Sequence, residues 1–393
     1  MTAGCGVERA APHTLFTSEP CSPKLGPSIA SDNMDPNVMS KPRIAVVGAG
    51  AVGGYIGAHL AHAGHDVTMI DPWPEHVEAM RTRGLSISGM SPEESLTVKM
   101  QAKHLTELQD IVKERPIDIA IVAVKSYDTI WATQMIAQYL SPMGYVVSAQ
   151  NCVNEERIAG VVGWGKTVGC MVGNNFAVEL YEAGAIRRTM PKDGKVHTLE
   201  AGEVHGRITP RVERLAEILS SVDLARATPN LWGVRWSKLC VNGMRNGVSA
   251  ATGLGGNARD KHDRIRRVVV KLAGEAVKVG RALGLDLEAI SKIDPDLWVR
   301  ATDNEPGAVQ ELDALILAGT SGAARSDLQR PSMAQDIAKG RRTEIDYMNG
   351  YIAEKGEAAG VSAPTHAALT RIVRDVERGR LEAKPENLFA LTN

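Results

Sequence analysis

A lysine and two asparagines recur at intervals of four residues in the segment WSKLCVNGMRNG: Lys238, Asn242 and Asn246. Residues four apart share one face of an α-helix, so the spacing predicts an ammonium and two amides in a row. Amides can orient a small hydroxy or oxo acid, and an ammonium can give a proton to a carbonyl oxygen as a hydride reaches its carbon. A solvated polar helix face is the other interpretation of this spacing.

A glycine-rich segment, IAVVGAGAVGGYIG, contains the pattern G-x-G-x-x-G between a predicted strand and a predicted helix. Gly48 allows a tight turn, Gly50 allows the backbone to approach a diphosphate, and Gly53 allows the helix to pack on the strand. The helix N-terminus offers unpaired amides and partial positive charge to phosphates. An ordinary βα turn is the alternative. The predicted cofactor-binding residues here are Gly48, Ala49, Gly50, Ala51, Val52 and Gly53.

Asp71 ends the second predicted strand and is a further candidate cofactor residue. A carboxylate at this place can accept hydrogen bonds from the adenosine ribose and would repel a 2′-phosphate, which favours NAD over NADP. The following Pro72-Trp73-Pro74 could turn the carboxylate away, so NADP stays open.

The elements that must position these residues follow from the hydrophobic pattern. Short aliphatic runs alternate with amphipathic segments from Arg43, and the continuous run IAIVAV indicates a strand covered on both faces. This predicts a doubly wound α/β fold with a parallel sheet. After about residue 208 helical spacing prevails. We therefore predict a disordered extension (1–40), a dinucleotide-binding domain (41–207) and a helical substrate and catalytic domain (208–393).

Composition narrows the class of protein. The chain has 393 residues, 44% of them apolar, and a formal net charge of -1, so it lacks the cationic excess that nucleic-acid binding usually leaves. No apolar run approaches the roughly 20 residues that span a bilayer. Five scattered cysteines without zinc-like spacing indicate reduced thiols and no metal site. We expect a cytoplasmic protein that binds neither nucleic acid nor membrane.

Five motifs occur in an order that resembles the ketopantoate reductase (2-dehydropantoate 2-reductase) family over about residues 42–375. They are GAGAVGG, VKSYD, QNCVNEE, the run W-x-K-x-x-x-N-x-x-x-N, and PSMAQDI with TEIDYMNG. The resemblance implies a Rossmann domain, a helical C-terminal domain like that of 6-phosphogluconate dehydrogenase, and a homodimer. It implies reduction of a 2-keto acid by NAD(P)H, as in pantothenate biosynthesis.

Roles for the polar residues of the helical half follow from this resemblance. Lys238 resembles the general acid, and Glu344 resembles the carboxylate that binds the substrate hydroxyl and supports the lysine. Asn242 and Asn246 resemble substrate-binding amides, and Ser332 resembles the residue that contacts the substrate carboxylate. On pattern alone, the segment around Ser332 and Glu344 reads as a polar surface helix with TEID in its middle.

Two further residues resemble family members that meet the cofactor: Lys125, and Asn151 near the nicotinamide and substrate. Both follow predicted strands, and ligands of open α/β sheets bind beyond the carboxyl ends of strands. The chain departs from the family pattern at Asp71, where many members carry a basic residue suited to NADP, and at Cys152, where glycine is common. A 2-keto acid other than 2-dehydropantoate therefore fits equally well.

Other functions stay open at this point. An NAD-dependent dehydrogenase could oxidise another 2-hydroxy acid, and β-hydroxyacid or opine-type dehydrogenases share the two-domain plan. The lysine and asparagine face followed by TEID favours the first group. A non-catalytic NAD(H)-sensing protein is a remote alternative, because a sensor needs no proton donor such as Lys238.

Overall fold

The computed structural model describes residue 1 and residues 41–192, 194–320 and 331–392. The predicted disordered extension lies outside these residues apart from Met1. Lys41–Asn393 form one compact unit.

The described strands form two sheets, an eight-stranded sheet of order β12-β11-β8-β7-β6-β1-β2-β5 and a four-stranded sheet of order β4-β3-β10-β9. Their bounds are β1 (Arg43–Val47), β2 (Asp66–Asp71), β3 (Leu85–Ser88), β4 (Leu96–Val98), β5 (Gln101–His104), β6 (Ile117–Val122), β7 (Leu140–Ser148), β8 (Thr167–Val172), β9 (Val178–Glu182), β10 (Ala185–Arg188), β11 (Leu199–Glu203) and β12 (Ala225–Ala227).

Helices surround the large sheet and form the second half of the unit. Their bounds are α1 (Ala51–His62), α2 (Pro74–Thr82), α3 (Thr129–Ala137), α4 (Glu155–Val162), α5 (Pro210–Leu219), α6 (Leu231–Gly243), α7 (Asn246–Thr252), α8 (Gly256–Lys261), α9 (Asp263–Ala282), α10 (Pro295–Thr302), α11 (Pro306–Ala318), α12 (Ser332–Ala338), α13 (Tyr351–Ala358) and α14 (Pro364–Glu377). No helix in the described part of the chain is both long enough and apolar enough to cross a membrane.

The predicted fold class is confirmed. The large sheet is parallel from β5 to β8, whereas β11 runs antiparallel to β8. From β1 the chain moves outward through β2 to β5 on one side and through β6 to β8 on the other. The strand order therefore reverses between β1 and β6, and ligands of doubly wound sheets bind at such a switch point.

The central strands are buried on both faces, as the continuous apolar runs predicted. In β1, Ile44 and Val46 pack in the core that includes α1, whereas Ala45 and Val47 pack in the core that includes α3 and α4. Both faces are covered, so the alternation of polar and apolar residues is largely lost in these strands.

The sheet extends further along the chain than the boundary predicted at residue 208. Helix α5 and strand β12 come after that residue, and β12 pairs in parallel with β11 at the edge of the large sheet. The three residues of β12 are Ala-Arg-Ala, which contain no aliphatic run, so the pattern gave no signal for a strand. From Leu231 the described chain is helical apart from an isolated bridge between Ile290 and Ile293.

A buried arginine joins the first helix of the helical half, α6, to the sheet. Arg235 donates from Nε to Glu155 Oε1 at 2.7 Å, from Nη1 to the carbonyl of Gln150 at 2.7 Å, and from Nη2 to the carbonyl of Ser148 at 2.6 Å. Its side chain is 3% exposed and that of Glu155 is fully buried. The contact fixes α6 against the carboxyl end of β7.

We predict that Arg235→Met destabilises the protein by about 3–5 kcal/mol, because it leaves the buried carboxylate of Glu155 without a partner. The double variant Arg235→Met/Glu155→Met should regain most of this loss, since both charges are then absent. Urea denaturation followed by circular dichroism measures the free energy of unfolding. A single variant as stable as the wild type would show that the pair does not hold α6 in place.

Candidate active site

The glycine loop after β1 has the geometry of a diphosphate site. Gly48 has a φ of +93°, and a Cβ on it would lie 2.8 Å from Cγ1 of Val124; a Cβ on Gly53 would lie 2.0 Å from the carbonyl oxygen of Gly48. Both positions therefore require glycine. A Cβ on Gly50 would meet nothing within 4 Å, so this side of the loop is open.

Helix α1 presents amide donors at the same place. Its N-cap, Gly50, provides no side-chain cap, and its first turn carries no acidic residue. The N–H groups of Ala51, Val52 and Gly53 precede the first intrahelical hydrogen bond, which Gly54 N–H donates to Gly50 O at 2.7 Å. These groups and the helix dipole fit the diphosphate of a nicotinamide dinucleotide.

Side chains hold the backbone at both the N–H and the carbonyl of Ala49. Its N–H donates to Asp71 Oδ2 at 2.8 Å, and its carbonyl lies 2.9 Å from His76 Nε2. His76 Nδ1 accepts from the N–H of Gly184 at 2.8 Å, so the imidazole proton is on Nε2 and is donated to Ala49. Asp71 Oδ1 accepts from Trp73 N–H at 2.9 Å. The Asp71 carboxylate therefore stays at the glycine loop and is not turned away.

Three polar side chains follow parallel strands at the edge that carries the glycine loop. Lys125 follows β6, Asn151 follows β7 and Asn174 follows β8. Lys125 and Asn151 were both predicted to lie at this edge. Asn174 was not, although its place two residues after β8 was a signal that could have identified it.

The ammonium of Lys125 lies between two carboxylates of the helical half. Its Nζ is 2.6 Å from Asp336 Oδ2 and 3.3 Å from Glu344 Oε2, and both acidic residues are buried. Burial opposes the charged form of Lys125, but the fields of Glu344 and Asp336 outweigh it and raise the pKa of this lysine. Lys125 is therefore a permanent cation and cannot serve as a proton donor near neutral pH.

Glu344 contacts different partners from those expected. Its Oε1 accepts from the N–H of Ser126 at 2.9 Å and from the Ser126 hydroxyl at 2.8 Å, while its Oε2 faces Lys125. Glu344 was expected to support Lys238, but Lys238 Nζ donates to Asn174 Oδ1 at 2.6 Å. Ser126 belongs to the VKSYD motif, and sequence reasoning did not single it out.

Glu344 also lies before a helix, not in the middle of one as the TEID pattern suggested. Gly340, with a φ of +62°, turns the chain after α12. Thr343 then donates through its N–H and its hydroxyl to Glu377 Oε2, at 2.8 and 2.6 Å. A π-helical turn, Asp346–Gly350, follows and continues into α13. This bend directs the Glu344 carboxylate to Ser126.

The predicted helix through the lysine and asparagine row is broken. Lys238 and Asn242 lie on α6, which ends at Gly243, whereas Asn246 begins α7. Asn349, which is fully buried, donates from Nδ2 to the carbonyl of Gly243 at 2.8 Å. In a continuous helix this carbonyl would accept from the residue four positions on. A contact from a distant part of the chain therefore replaces the helical hydrogen bond.

A buried histidine, His366, fixes the orientation of the Asn349 side-chain amide. Asn349 Nδ2 lies 3.0 Å from His366 Nδ1, and His366 Nε2 lies 2.8 Å from the carbonyl of Leu272. Because a carbonyl can only accept, Nε2 carries the proton and Nδ1 accepts from the amide. Burial lowers the pKa of His366 to about 4, so the ring is neutral at physiological pH.

The amides of the two halves meet in the cleft between sheet edge and helices. Asn242 Nδ2 donates to Asn151 Oδ1 at 3.2 Å, and the carbonyl of Asn151 accepts from Asn154 Nδ2 at 2.9 Å. Asn246 and Ser332 are half-buried first residues of α7 and α12, two helices that pack on each other. The predicted substrate residues thus occupy neighbouring elements.

Lys238 differs from Lys125 in its electrostatics. Burial, together with the charge of Arg245, lowers the pKa of Lys238 to about 7. An acid is most useful when its pKa lies near the working pH, since both protonation states are then accessible. Both the ammonium and the amine form of Lys238 are therefore populated near neutral pH.

Cys152 occupies a position where glycine is common in the family that the sequence resembles. It has a φ of +66°, in the left-handed region, and is 5% exposed. Its side chain packs in the core of the helical half, and burial raises the pKa of the thiol. The thiol therefore stays protonated, which argues against a nucleophilic role.

A glycine loop at the switch point of a doubly wound sheet, together with a lysine from a helical half at the same sheet edge, fits a nicotinamide-dependent oxidoreductase that acts on CH–OH groups. Residues 44–200 match the family described as ketopantoate reductase PanE/ApbA, and residues 230–377 match the C-terminal domain of the same family. The chain belongs to the ketopantoate reductase family.

Individual relatives are distant but cover most of the chain. The 2-dehydropantoate 2-reductase of Pyrococcus abyssi is 29% identical over 85% of this chain and 98% of its own length. A PanE/ApbA family ketopantoate reductase from Ralstonia eutropha JMP134 is 27% identical with a TM-score of 0.68, over 86% of this chain and 99% of its own. D-mandelate dehydrogenase, solved with NADH and anilino(oxo)acetate, shares the fold at 24% identity and a TM-score of 0.70, over 86% and 98% of the two chains.

We predict that Asn349→Ala destabilises the protein by about 1–3 kcal/mol, because the Gly243 carbonyl and His366 Nδ1 both lose their donor. Urea denaturation measures this change, and Glu357→Ala, at an exposed position of α13, should stay within about 0.5 kcal/mol of the wild type. Equal stability of the Asn349 and Glu357 variants would show that the amide does not maintain the helix break.

Proposed function

We propose that the protein reduces a 2-keto acid to a 2-hydroxy acid with a bound nicotinamide dinucleotide, and that Lys238 is the general acid. The observation that supports this most directly is the Lys238 ammonium, whose pKa burial lowers to about 7 and whose hydrogen bond to Asn174 holds it at the sheet edge beyond β8. 2-Dehydropantoate or a related keto acid is the proposed substrate.

The residues of the chain divide the remaining tasks. The bound cofactor would supply the hydride to the keto carbon. Lys238 donates its proton to the oxygen that becomes negative, and this oxygen is thereby stabilised as a hydroxyl. The amides of Asn151 and Asn242 lie 3.2 Å apart and can bind the same substrate from opposite halves. Ser332 and Asn246 would hold the substrate carboxylate.

Glu344 and Lys125 act from the cofactor side of this arrangement. The Glu344 carboxylate is held by Ser126 and Lys125, so its orientation is fixed before substrate binds. It retains acceptor capacity for a substrate hydroxyl, since each carboxylate oxygen accepts more than one hydrogen bond. The Lys125 ammonium lies at the same edge of the sheet, where Asp336 and Glu344 balance its charge.

NAD is the cofactor we favour. Asp71 ends β2, and its two oxygens accept from the backbone N–H groups of Ala49, in the glycine loop, and of Trp73, just after the strand. A carboxylate held there can accept from the adenosine ribose hydroxyls and would repel the 2′-phosphate of NADP.

Oxidation of another 2-hydroxy acid is the second candidate function. At pH values above about 7 the amine form of Lys238 prevails and can accept the hydroxyl proton of such a substrate.

We further infer from the family resemblance a homodimer that forms through the helical half, and a cytoplasmic location. Light scattering tests the dimer.

The experiment that tests the proposed reaction is a panel of 2-keto acids with NADH and NADPH, followed by loss of nicotinamide absorbance. Lys238→Ala should lower kcat by about 10²–10⁴-fold. The affinity for NADH, measured by calorimetry, should persist because the glycine loop and Asp71 are unchanged in this variant.

Lys261→Ala is the matched control, since this lysine is exposed at the end of α8. An unchanged kcat in Lys238→Ala would remove the lysine from the mechanism. Binding of NADH by the wild type without turnover of any keto acid or hydroxy acid would favour the remote alternative, a non-catalytic NAD(H) sensor.

Asp71→Asn should raise the ratio of kcat/KM for NADPH to that for NADH by about tenfold or more, an effect of about 1.4 kcal/mol. The amide keeps one acceptor oxygen but removes the charge that repels a 2′-phosphate. Glu78→Gln removes an exposed charge further along α2 and should leave the ratio unchanged. A ratio equal to that of the wild type would show that Asp71 does not select the cofactor.

A further inference from the structure

Asn174 is the polar partner that the structure gives to the Lys238 ammonium. Lys238 Nζ donates to Asn174 Oδ1 at 2.6 Å, although the two residues are 64 positions apart in the chain. An ammonium can only donate, so the amide must present its oxygen. The two other N–H groups of the ammonium then remain for a substrate oxygen and for solvent.

The loop that carries Asn174 is anchored by the two residues that follow it. The carbonyl of Asn175 accepts from Arg188 Nη2 at 3.1 Å, and Arg188, whose side chain is fully buried, pairs with Asp223 at 2.8 Å. The next residue, Phe176, is buried and lies edge-on to Tyr55 with ring centroids 5.0 Å apart. The amide of Asn174 is therefore presented from a fixed backbone.

The Asn174 amide is the main contact that favours the charged form of Lys238. The charged group that acts on it among the described residues is Arg245, at the turn between α6 and α7, and this cation disfavours the ammonium as burial does. Glu344, the carboxylate expected beside Lys238, is engaged by Lys125 and Ser126 instead. The Asn174 oxygen is thus placed to offset both unfavourable effects.

We propose that Asn174 is a positioning residue that holds the Lys238 ammonium at the cleft and favours its protonated form. This rests on the proposed function, in which Lys238 is the general acid. The amide orients the lysine towards the sheet edge before substrate arrives, and it opposes loss of the proton to solvent. Removal of the Asn174 amide therefore changes both the position of the Lys238 ammonium and its pKa.

The sign of the pH effect follows from the protonation state that reduction needs. Reduction requires the ammonium, so kcat/KM for the keto acid falls as pH rises through the pKa of Lys238, near 7 in the wild type. A hydrogen bond to the charged form raises a pKa, so Asn174→Ala should move this fall to lower pH by about one unit. Asn174→Asp places a carboxylate beside the ammonium and should move it to higher pH by about 1–3 units.

The test compares pH profiles of kcat/KM for the wild type, Asn174→Ala, Asn174→Asp and the control Lys261→Ala. The control removes an exposed side chain at the end of α8, a helix that carries none of the proposed site residues. Opposite shifts in the two Asn174 variants, with no shift in the control, would support the proposal. A role in folding alone would lower activity without moving the two profiles in opposite directions.

A second measurement does not depend on turnover. The rate at which an amine-reactive reagent labels Lys238, followed by mass spectrometry as a function of pH, reports the pKa of this lysine in each full-length variant. If no keto acid is reduced, the proposed function fails while this measurement still tests the role of Asn174. Coincident labelling profiles in the wild type and both Asn174 variants would overturn the proposal.

Discussion

The site depends on a cation shared by the two halves of the molecule. Lys125 follows a strand of the sheet, and its ammonium lies between carboxylates that the helical half supplies, Asp336 and Glu344. Glu344 also accepts two hydrogen bonds from Ser126, so the pairing joins the helical half to the segment that follows β6. It also gives the two lysines of the cleft different protonation behaviour. Lys125 keeps its charge, whereas Lys238 has burial and Arg245 against it and can release its proton.

The parts of this site that follow from neighbouring residues in the chain were predictable. The glycine loop, the start of α1 and the position of Asp71 are dictated by local backbone requirements, and a Cβ at Gly53 would collide with the carbonyl of Gly48. The strand ends that carry Lys125 and Asn151 follow from aliphatic runs buried on both faces of a sheet. Such patterns are local and repeat in any doubly wound fold.

The parts that depend on distant contacts were not predictable. The helix through Lys238 and Asn246 breaks because Asn349, 106 residues further along, donates to the carbonyl of Gly243. Glu344 has the spacing of a helical residue, yet Thr343 is bound to Glu377 and the helix starts later. Periodicity shows which residues could share a helix face, and it contains no information on which side chain from elsewhere replaces a helical hydrogen bond.

The break between α6 and α7 also divides the residues of the site between two separately supported pieces. Lys238 and Asn242 belong to α6, which Arg235 fastens to the sheet, whereas Asn246 begins α7 and packs with α12, where Ser332 lies. In the proposed mechanism the proton donor, Lys238, therefore lies on the helix that is fixed to the sheet. The residues that would bind the substrate carboxylate, Asn246 and Ser332, lie on α7 and α12. Under that mechanism, substitutions that shift α7 and α12 would move Asn246 and Ser332 relative to the substrate while leaving α6 and Lys238 in place.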